Sequence, residues 1–295
     1  MNKTENVAIL RLGVHVSIAG GVEEAVSRGS ELGCTALQIF SRNPRGWNSA
    51  PLADSSAAEF RKRIQETGID PVVVHTPYLL NLASGNEDLY RRSIKGLALD
   101  VRRAEQLGAR FVVTHIGSAG ENPRELALKR VRSALREVLE KPTAVSILLE
   151  NGSGAGNSLG GRLDELAAIL NGVGENKKVG VCFDSCHGFA AGYDLRTPQG
   201  VAALADEISR MIGPKRLALL HLNDGEGALG SHLDRHEHIG KGKIGFRGFK
   251  NLLHHPCFQG LPMILETPKD SPDADRKNLM RIRKIVSTQR FEGER

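Results

Sequence analysis

Short apolar runs alternate with longer helical patterns from one end of this chain to the other, and that alternation limits the fold more than any other feature. Eight runs read as strands: residues 12–18, 36–40, 72–76, 111–115, 145–150, 179–184, 217–222 and 262–266. Several are unbroken stretches of Val, Ile and Leu, as expected for strands covered on both faces. Helical signals lie between them. The segment 87–107 carries Ile94, Leu97, Ala98, Val101 and Ala104 as a helical stripe, and Gly108 follows as a stop. Asn122-Pro123-Arg124-Glu125 reads as a cap, a first-turn proline and a capping-box-like glutamate, and Thr197-Pro198 repeats the cap logic. Strand–helix repeats argue for parallel crossovers. Eight of them suit a closed (β/α)8 TIM barrel better than an open doubly wound sheet. A length of 295 residues is normal for one barrel, and no linker or low-complexity tract is visible, so one domain over 1–295 is expected.

The carboxyl ends of these runs carry the chemistry. Strands three to eight end in His75, His115, Glu150, Asp184, His221 and Glu266, with His187 three residues after Asp184. A lone histidine after an apolar run is more often a rim or core residue than a ligand. Six successive strand ends carrying ionisable groups are different, because burying them together is costly unless something compensates. Bound cations compensate directly, and imidazole and carboxylate are ligands that zinc, manganese and iron accept. Residues 223–245 form a long polar, glycine-rich segment after strand seven, and a loop of that length in a barrel is usually functional. Within it Asp234 and His236 stand two apart, so an extended backbone points both the same way while Glu237 turns aside. Taken alone this could be a solvated charged loop. The nine candidates His75, His115, Glu150, Asp184, His187, His221, Asp234, His236 and Glu266 are too many for one ion and suit about three.

Other motifs say less. Gly152-Ser-Gly154-Ala-Gly156 looks like a phosphate loop but lacks a Walker lysine and Rossmann spacing, so a flexible rim loop is expected. Ser17 and Ser185 have no nucleophile elbow around them, and Trp47 is expected to pack rather than bind. With 40% hydrophobic residues the chain can bury a large core, and a net charge of +6 fits a polyanionic partner without requiring one. No apolar run is long enough to span a bilayer, and the first ten residues lack the apolar core of a signal peptide. Cys34, Cys182, Cys186 and Cys257 are scattered without paired finger-like spacing. A cytoplasmic protein with inert reduced thiols is expected.

At this point the residues resemble endonuclease IV, the second family of abasic-site endonucleases, over almost the whole chain from His15-Val-Ser onward. The strongest matches are Asp184-Ser-Cys-His187-Gly-Phe-Ala-Ala-Gly-Tyr193-Asp194, His221-Leu-Asn223-Asp224 with Gly230-Ser-His-Leu-Asp234-Arg235-His236-Glu-His-Ile-Gly240, and Ile-Leu-Glu266-Thr-Pro268. His75-Thr-Pro-Tyr78-Leu-Leu-Asn81 and Leu149-Glu150-Asn151 support them. The glycine-rich segment after Glu150 and Ser185 depart from the family's commoner forms.

The resemblance implies three zinc ions, with manganese or iron as possible substitutes. His75 and His115 would hold the first, with Glu150 bridging to a second completed by Asp184, His221 and Glu266; His187, Asp234 and His236 would hold the third. It also implies double-stranded DNA with abasic sites or blocked 3′ ends as the partner, with Arg45, Tyr78 and Leu79 entering the minor groove. The implied reaction is hydrolysis 5′ to the abasic site by a metal-activated hydroxide, leaving a 3′-hydroxyl and a 5′-deoxyribose phosphate, with 3′-phosphatase and 3′-phosphodiesterase activity besides. Glu150 and Glu266 would orient the ions or the attacking water, and the chain is expected to be a monomer. Two other readings remain. A sugar isomerase or epimerase on the same barrel needs only Glu150, Asp184, His221 and Glu266. A non-catalytic DNA-binding or metal-storage protein needs basic loops but no open metal positions.

Overall fold

The computed structural model of the protein describes residues 10–174 and 178–292, and side chains as far as residue 288. The stretch read above as lacking a signal peptide lies almost wholly outside the described residues. Seven strands come first: β1 (Leu12–Val16), β2 (Leu37–Phe40), β3 (Val72–His75), β4 (Phe111–His115), β5 (Ser146–Glu150), β6 (Val179–Asp184) and β7 (Leu217–His221). A two-residue ribbon of β8 (Asp224–Gly225) and β9 (His236–Glu237) follows, then β10 (Met263–Leu265). β1 to β7 and β10 close into an all-parallel barrel in which β1 pairs with both β2 and β10. The eight expected strands are therefore the eight barrel strands, with ends shifted by at most two residues.

The helices are α1 (Val22–Glu31), α2 (Asp54–Thr67), α3 (Glu87–Leu107), α4 (Arg124–Val138), α5 (Leu163–Gly172), α6 (Ser185–Ala191), α7 (Pro198–Met211), α8 (Gly245–His254) and α9 (Ala274–Glu292). α3 spans the expected segment and stops at Gly108, whose φ of 70° is left-handed. Thr197 caps α7 as expected, its hydroxyl accepting from Gly200 N–H at 3.0 Å with Pro198 in the first turn. Asn122 does not cap α4. The cap position falls on Pro123, and no side chain bonds the helix start there. Asn122 instead donates its own N–H to the Ala119 carbonyl, and Glu125 pairs with Arg132 at 2.8 Å.

Period-two alternation divides the strand side chains between two cores. One face, with Val72, Val74, Leu149, Val181, Leu220 and Leu265, packs under the helices. The other face supplies a separate cluster of Ala36, Val73, Phe111, Val113, Leu148, Cys182, Leu219 and Ile264, which fills the barrel interior. Among the described residues no helix is long and apolar enough to cross a membrane.

Candidate metal centre

Two residues beyond seven of these eight interior residues, on the same face of the strand, stands a polar group; Phe111 is followed by Val113, itself one of the seven. Ala36 is followed by Gln38, Val73 by His75, Val113 by His115, Leu148 by Glu150, Cys182 by Asp184, Leu219 by His221 and Ile264 by Glu266. Strand periodicity alone therefore lifts these side chains onto one floor at the carboxyl end of the barrel. His187 joins them because Asp184 caps α6, its Oδ1 accepting from His187 N–H at 2.8 Å, which turns the chain back over the floor. Asp234 and His236 arrive from the long loop. The ribbon Asp224–Gly225 with His236–Glu237 folds that loop back to the strand from which it left.

The hydrogen-bond bookkeeping of the histidines shows what this floor lacks. A carbonyl oxygen can only accept, so a ring nitrogen beside one must carry the proton. His75 Nδ1 donates to the Thr76 carbonyl at 2.7 Å, His187 Nδ1 to that of Asn151 at 3.0 Å, and His236 Nδ1 to that of Glu266 at 3.0 Å. His221 uses its Nε2, donating to Gln38 Oε1 at 2.8 Å. In each neutral ring the other nitrogen is then a bare lone pair, and each of those points at carboxylate oxygens. His75 Nε2 lies 3.1 Å from Glu150 Oε2, and His187 Nε2 lies 3.1 Å from Asp234 Oδ1. His221 Nδ1 lies 3.0 Å from Glu150 Oε1 and 3.2 Å from Glu266 Oε2. His236 Nε2 is buried with no hydrogen-bond partner, 3.6 Å from Asp234 Oδ1 and 4.0 Å from Asp184 Oδ2. Facing lone pairs repel unless a proton or a cation lies between them, and an imidazole whose far nitrogen is tied to a carbonyl is the usual form of a metal ligand.

The electrostatics agree. Burial opposes charge on Glu150 and Glu266, yet the surrounding imidazoles outweigh it and hold both carboxyls well below the usual range. Burial likewise opposes the charged forms of His187 and His221. For His187 the nearby carboxylates override it, and for His221 Cys182, Glu266 and Glu150 do; both rise well above an ordinary histidine. His115 goes the other way, because desolvation outweighs Glu150. The site thus calls for positive charge among its carboxylates.

All nine sequence-predicted ligands are brought together. Donor atoms within 4.8 Å of one another form the groups His75–His115–Glu150, Glu150–Asp184–His221–Glu266 and His187–Asp234–His236. A fourth group, Asp184–Cys186–His236, reuses two of these residues, but burial pushes the Cys186 thiol up to about 12. Among the described residues these are the groups that could hold a metal, and mixed imidazole and carboxylate donors fit zinc, manganese or iron.

Five polar residues that hold the candidate ligands and their loop in place were given no role by sequence reasoning. Gln38 donates to Glu266 Oε1 at 2.6 Å while accepting from His221. His15 Nδ1 lies 3.3 Å from the same Glu266 oxygen. Asn151 is bonded to the main chain of Asp184 in both directions, and Asn223 donates to Asp184 Oδ2 at 2.6 Å. Asp224, fully buried, accepts main-chain N–H groups from Gly225, Gly240, Gly242, Ile244 and Gly245. The only available signal was period two, which puts His15 and Gln38 on the interior face.

Around the rim, Tyr78 is 66% exposed and its ring stands against Phe40, His75 and His115 at 5.5, 6.1 and 6.0 Å. Tyr78 and Leu79 border a cleft of about 350 Å³ that reaches His115, Glu150, His187 and Asp234. Arg45 is exposed on the loop after β2, while Trp47 of that loop packs on the core beneath Arg92. The glycine-rich segment after Glu150 is anchored rather than loose. Gly152 N–H donates to the Gly160 carbonyl, and His232, in a left-handed conformation with φ 58°, donates to the Ser153 carbonyl at 2.9 Å. Ser185 is structural, its hydroxyl donating to the Asn223 carbonyl at 2.8 Å. Among the described residues all four cysteines are free thiols.

A closed barrel with imidazoles and carboxylates converging at the carboxyl ends of its strands defines a metal-dependent barrel enzyme. A family model described as a xylose isomerase-like TIM barrel matches residues 26–285. The probable endonuclease 4 of Methanoculleus marisnigri is 46% identical over 277 residues, which are 93% of this chain and 98% of that one. Endonuclease IV from Thermus thermophilus superposes with a TM-score of 0.84 at 36% identity, covering 94% of this chain and 99% of that one. The chain belongs to the endonuclease IV family of the xylose isomerase-like TIM barrels and is an endonuclease of DNA repair. A D-tagatose 3-epimerase-like protein shares the fold alone, at a TM-score of 0.73 and 21% identity over 95% of this chain and 99% of its own.

Proposed function

We propose that this protein hydrolyses the phosphodiester bond 5′ to abasic sites in double-stranded DNA, leaving a 3′-hydroxyl and a 5′-deoxyribose phosphate. The same centre trims 3′-phosphates and 3′ sugar fragments. It acts as a monomer and as one domain over 1–295, with three zinc ions, of which manganese or iron can replace some. The observation that carries this reading is the position of Glu150. One carboxylate oxygen faces His75 and His115, the other faces His221 and His187, so a single side chain joins the ligand groups.

His75, His115 and Glu150 would hold one ion; Glu150, Asp184, His221 and Glu266 a second; and His187, Asp234 and His236 a third. When bound, such ions supply a water activated near neutral pH and positive charge against the phosphoryl oxygens. The protein's own part is positioning. Gln38 and His15 hold Glu266 so that one oxygen stays turned toward the centre. Glu150 and Glu266 stay ionised and orient the ions or the attacking water. Tyr78 and Leu79, beside the cleft, and Arg45 enter the minor groove and fill the space of the missing base. A missing base lowers the cost of unstacking, which favours the damaged site.

The epimerase reading uses Glu150, Asp184, His221 and Glu266 and leaves His187, Asp234 and the buried, unpartnered His236 Nε2 without a purpose. The deciding experiment is cleavage of an end-labelled duplex with one abasic site by purified protein without added magnesium. A single cut 5′ to the lesion with an extendable 3′ end is expected. Folded, metal-loaded protein that makes no cut would overturn the proposal, and turnover of a ketose by that protein would establish the epimerase.

A further inference from the structure

The loop that carries Arg45 is tied down by one face of a single helix. Arg92, Gly96, Asp100 and Arg103 recur on α3 at intervals of four, four and three, so they lie along one stripe. The Arg103 guanidinium donates to the Ser41 carbonyl at 2.6 Å, to Ser49 Oγ at 3.0 Å and to the Ala50 carbonyl. One planar group thus holds both ends of the loop. Asp100 accepts two bonds from Arg42, each 3.0 Å, and one from Ser41 Oγ at 2.7 Å; Arg42 in turn donates to the Gly46 carbonyl at 3.3 Å, near the tip. Arg92 lies over the Trp47 ring at 5.2 Å.

The cost of this arrangement is visible. Arg42, Asp100 and Arg103 are all buried; Asp100 pairs with Arg42, while Arg103 donates to the loop and feels that carboxylate only through space. Buried ion pairs are poor sources of stability compared with apolar packing. Gly96 lies in the interior of the unbroken helix, which costs about 1 kcal/mol relative to alanine. A Cβ there would stand 3.2 Å from Arg42 Nη2, so the glycine makes room for the guanidinium. A cleft of about 500 Å³ lies between the second limb of the loop and α3. Beside that cleft the limb is held by the Arg103 hydrogen bonds and by Leu52 packed on the core.

We infer that this face of α3 is a positioning platform that sets the loop in its DNA-reading shape before DNA arrives, with Arg103 as its principal clamp. The inference rests on the reading of Arg45 as a DNA contact and assigns the preorganisation of that contact to residues that touch neither DNA nor the metal centre. Fixing a loop in its bound shape raises affinity by removing the cost of ordering it.

The test is steady-state cleavage of a duplex with one abasic site by zinc-loaded, full-length Arg103→Met, Arg45→Ala and the double variant, with zinc content measured for each. Arg103→Met is expected to raise KM by roughly tenfold, with kcat within about twofold and zinc content unchanged. The double variant should be no worse than the weaker single one, because coupled residues do not add. If Arg103→Met fails to fold, Arg103→Lys serves. It keeps the charge, but its single ammonium cannot span both loop ends, and the same rise in KM is expected. Unchanged KM in the Arg103 variant beside an impaired Arg45→Ala overturns the inference alone, as do losses that add fully. Unchanged KM in Arg45→Ala overturns the DNA-contact reading beneath it.

Discussion

Glu266 shows how a single side chain is made specific here. Gln38 and His15 occupy one of its oxygens, and His221 faces the other. A glutamine at this position keeps the shape but places an amide N–H₂ against a donor or a metal position. Glu266→Gln is therefore expected to fold normally by circular dichroism while losing turnover by roughly a hundredfold. Near-normal turnover would remove Glu266 from the mechanism. The residue scale is also where the sequence was most and least informative. His75, His115 and His221 could be picked out because an apolar run delivers each of them. Gln38 and Asn223 could not be given roles, since what an amide bonds is not legible until its partner, 183 residues or 39 residues away, is in place.

At the scale of elements, the loop from β7 to α8 is organised by Asp224. Its buried carboxylate collects five main-chain N–H groups, and a Cβ on Gly242 would stand 2.4 Å from Asp224 Oδ1. The carboxylate is thus the centre on which the loop is wound, and the ribbon with His236 follows from it. Asp224→Asn loses charge and one acceptor among buried donors. It is expected to cost roughly 3 kcal/mol in denaturant unfolding. Zinc should leave the His187, Asp234 and His236 group at lower chelator concentration than in the parent, with the other groups less affected. Uniform loss of all zinc would deny the loop this separate role. Length and glycine content marked the segment as functional, but the N–H groups that meet Asp224 lie up to 21 residues away, and local pattern does not reveal which donors will converge. The start of α4 also differs from the sequence expectation: the cap position falls one residue later, on Pro123, and the Asn122 main-chain N–H belongs to the preceding turn.

For the whole molecule, metal and stability are linked. Ligands from strands around the barrel converge on the centre, so ions bound there favour the closed barrel over the unfolded chain. Removal of metal by a strong chelator is expected to lower Tm by roughly 5–10 °C, restored by zinc and read by calorimetry. No change in Tm would argue that the floor is held by protons and hydrogen bonds alone. The pH sign follows from the charges. Glu150 and Glu266 are held well below the usual carboxyl range and stay ionised, so acid acts on the imidazoles. A protonated imidazole cannot ligate, and because His187 and His221 are held well above the ordinary histidine range, proton competition begins above neutrality: zinc retained on dialysis should fall as pH drops from about 8 to about 5. Retention independent of pH over that interval would exclude histidine ligation.

The sequence by itself determined the strand–helix repeats and the nine candidate ligands at their carboxyl ends and in the long loop, because apolar runs and residue types are local properties. Strand alternation decides which side chains face inward, while closure, the pairing of β1 with β10, is a property of the tertiary structure. Tertiary structure alone decided how each ligand is held: which imidazole nitrogen carries the proton, which oxygen of Glu150 faces which group, and which helix face clamps the Arg45 loop. Those properties depend on partners distant in sequence, and hydrogen bonds, unlike hydrophobic periodicity, are fixed only when both partners are in place.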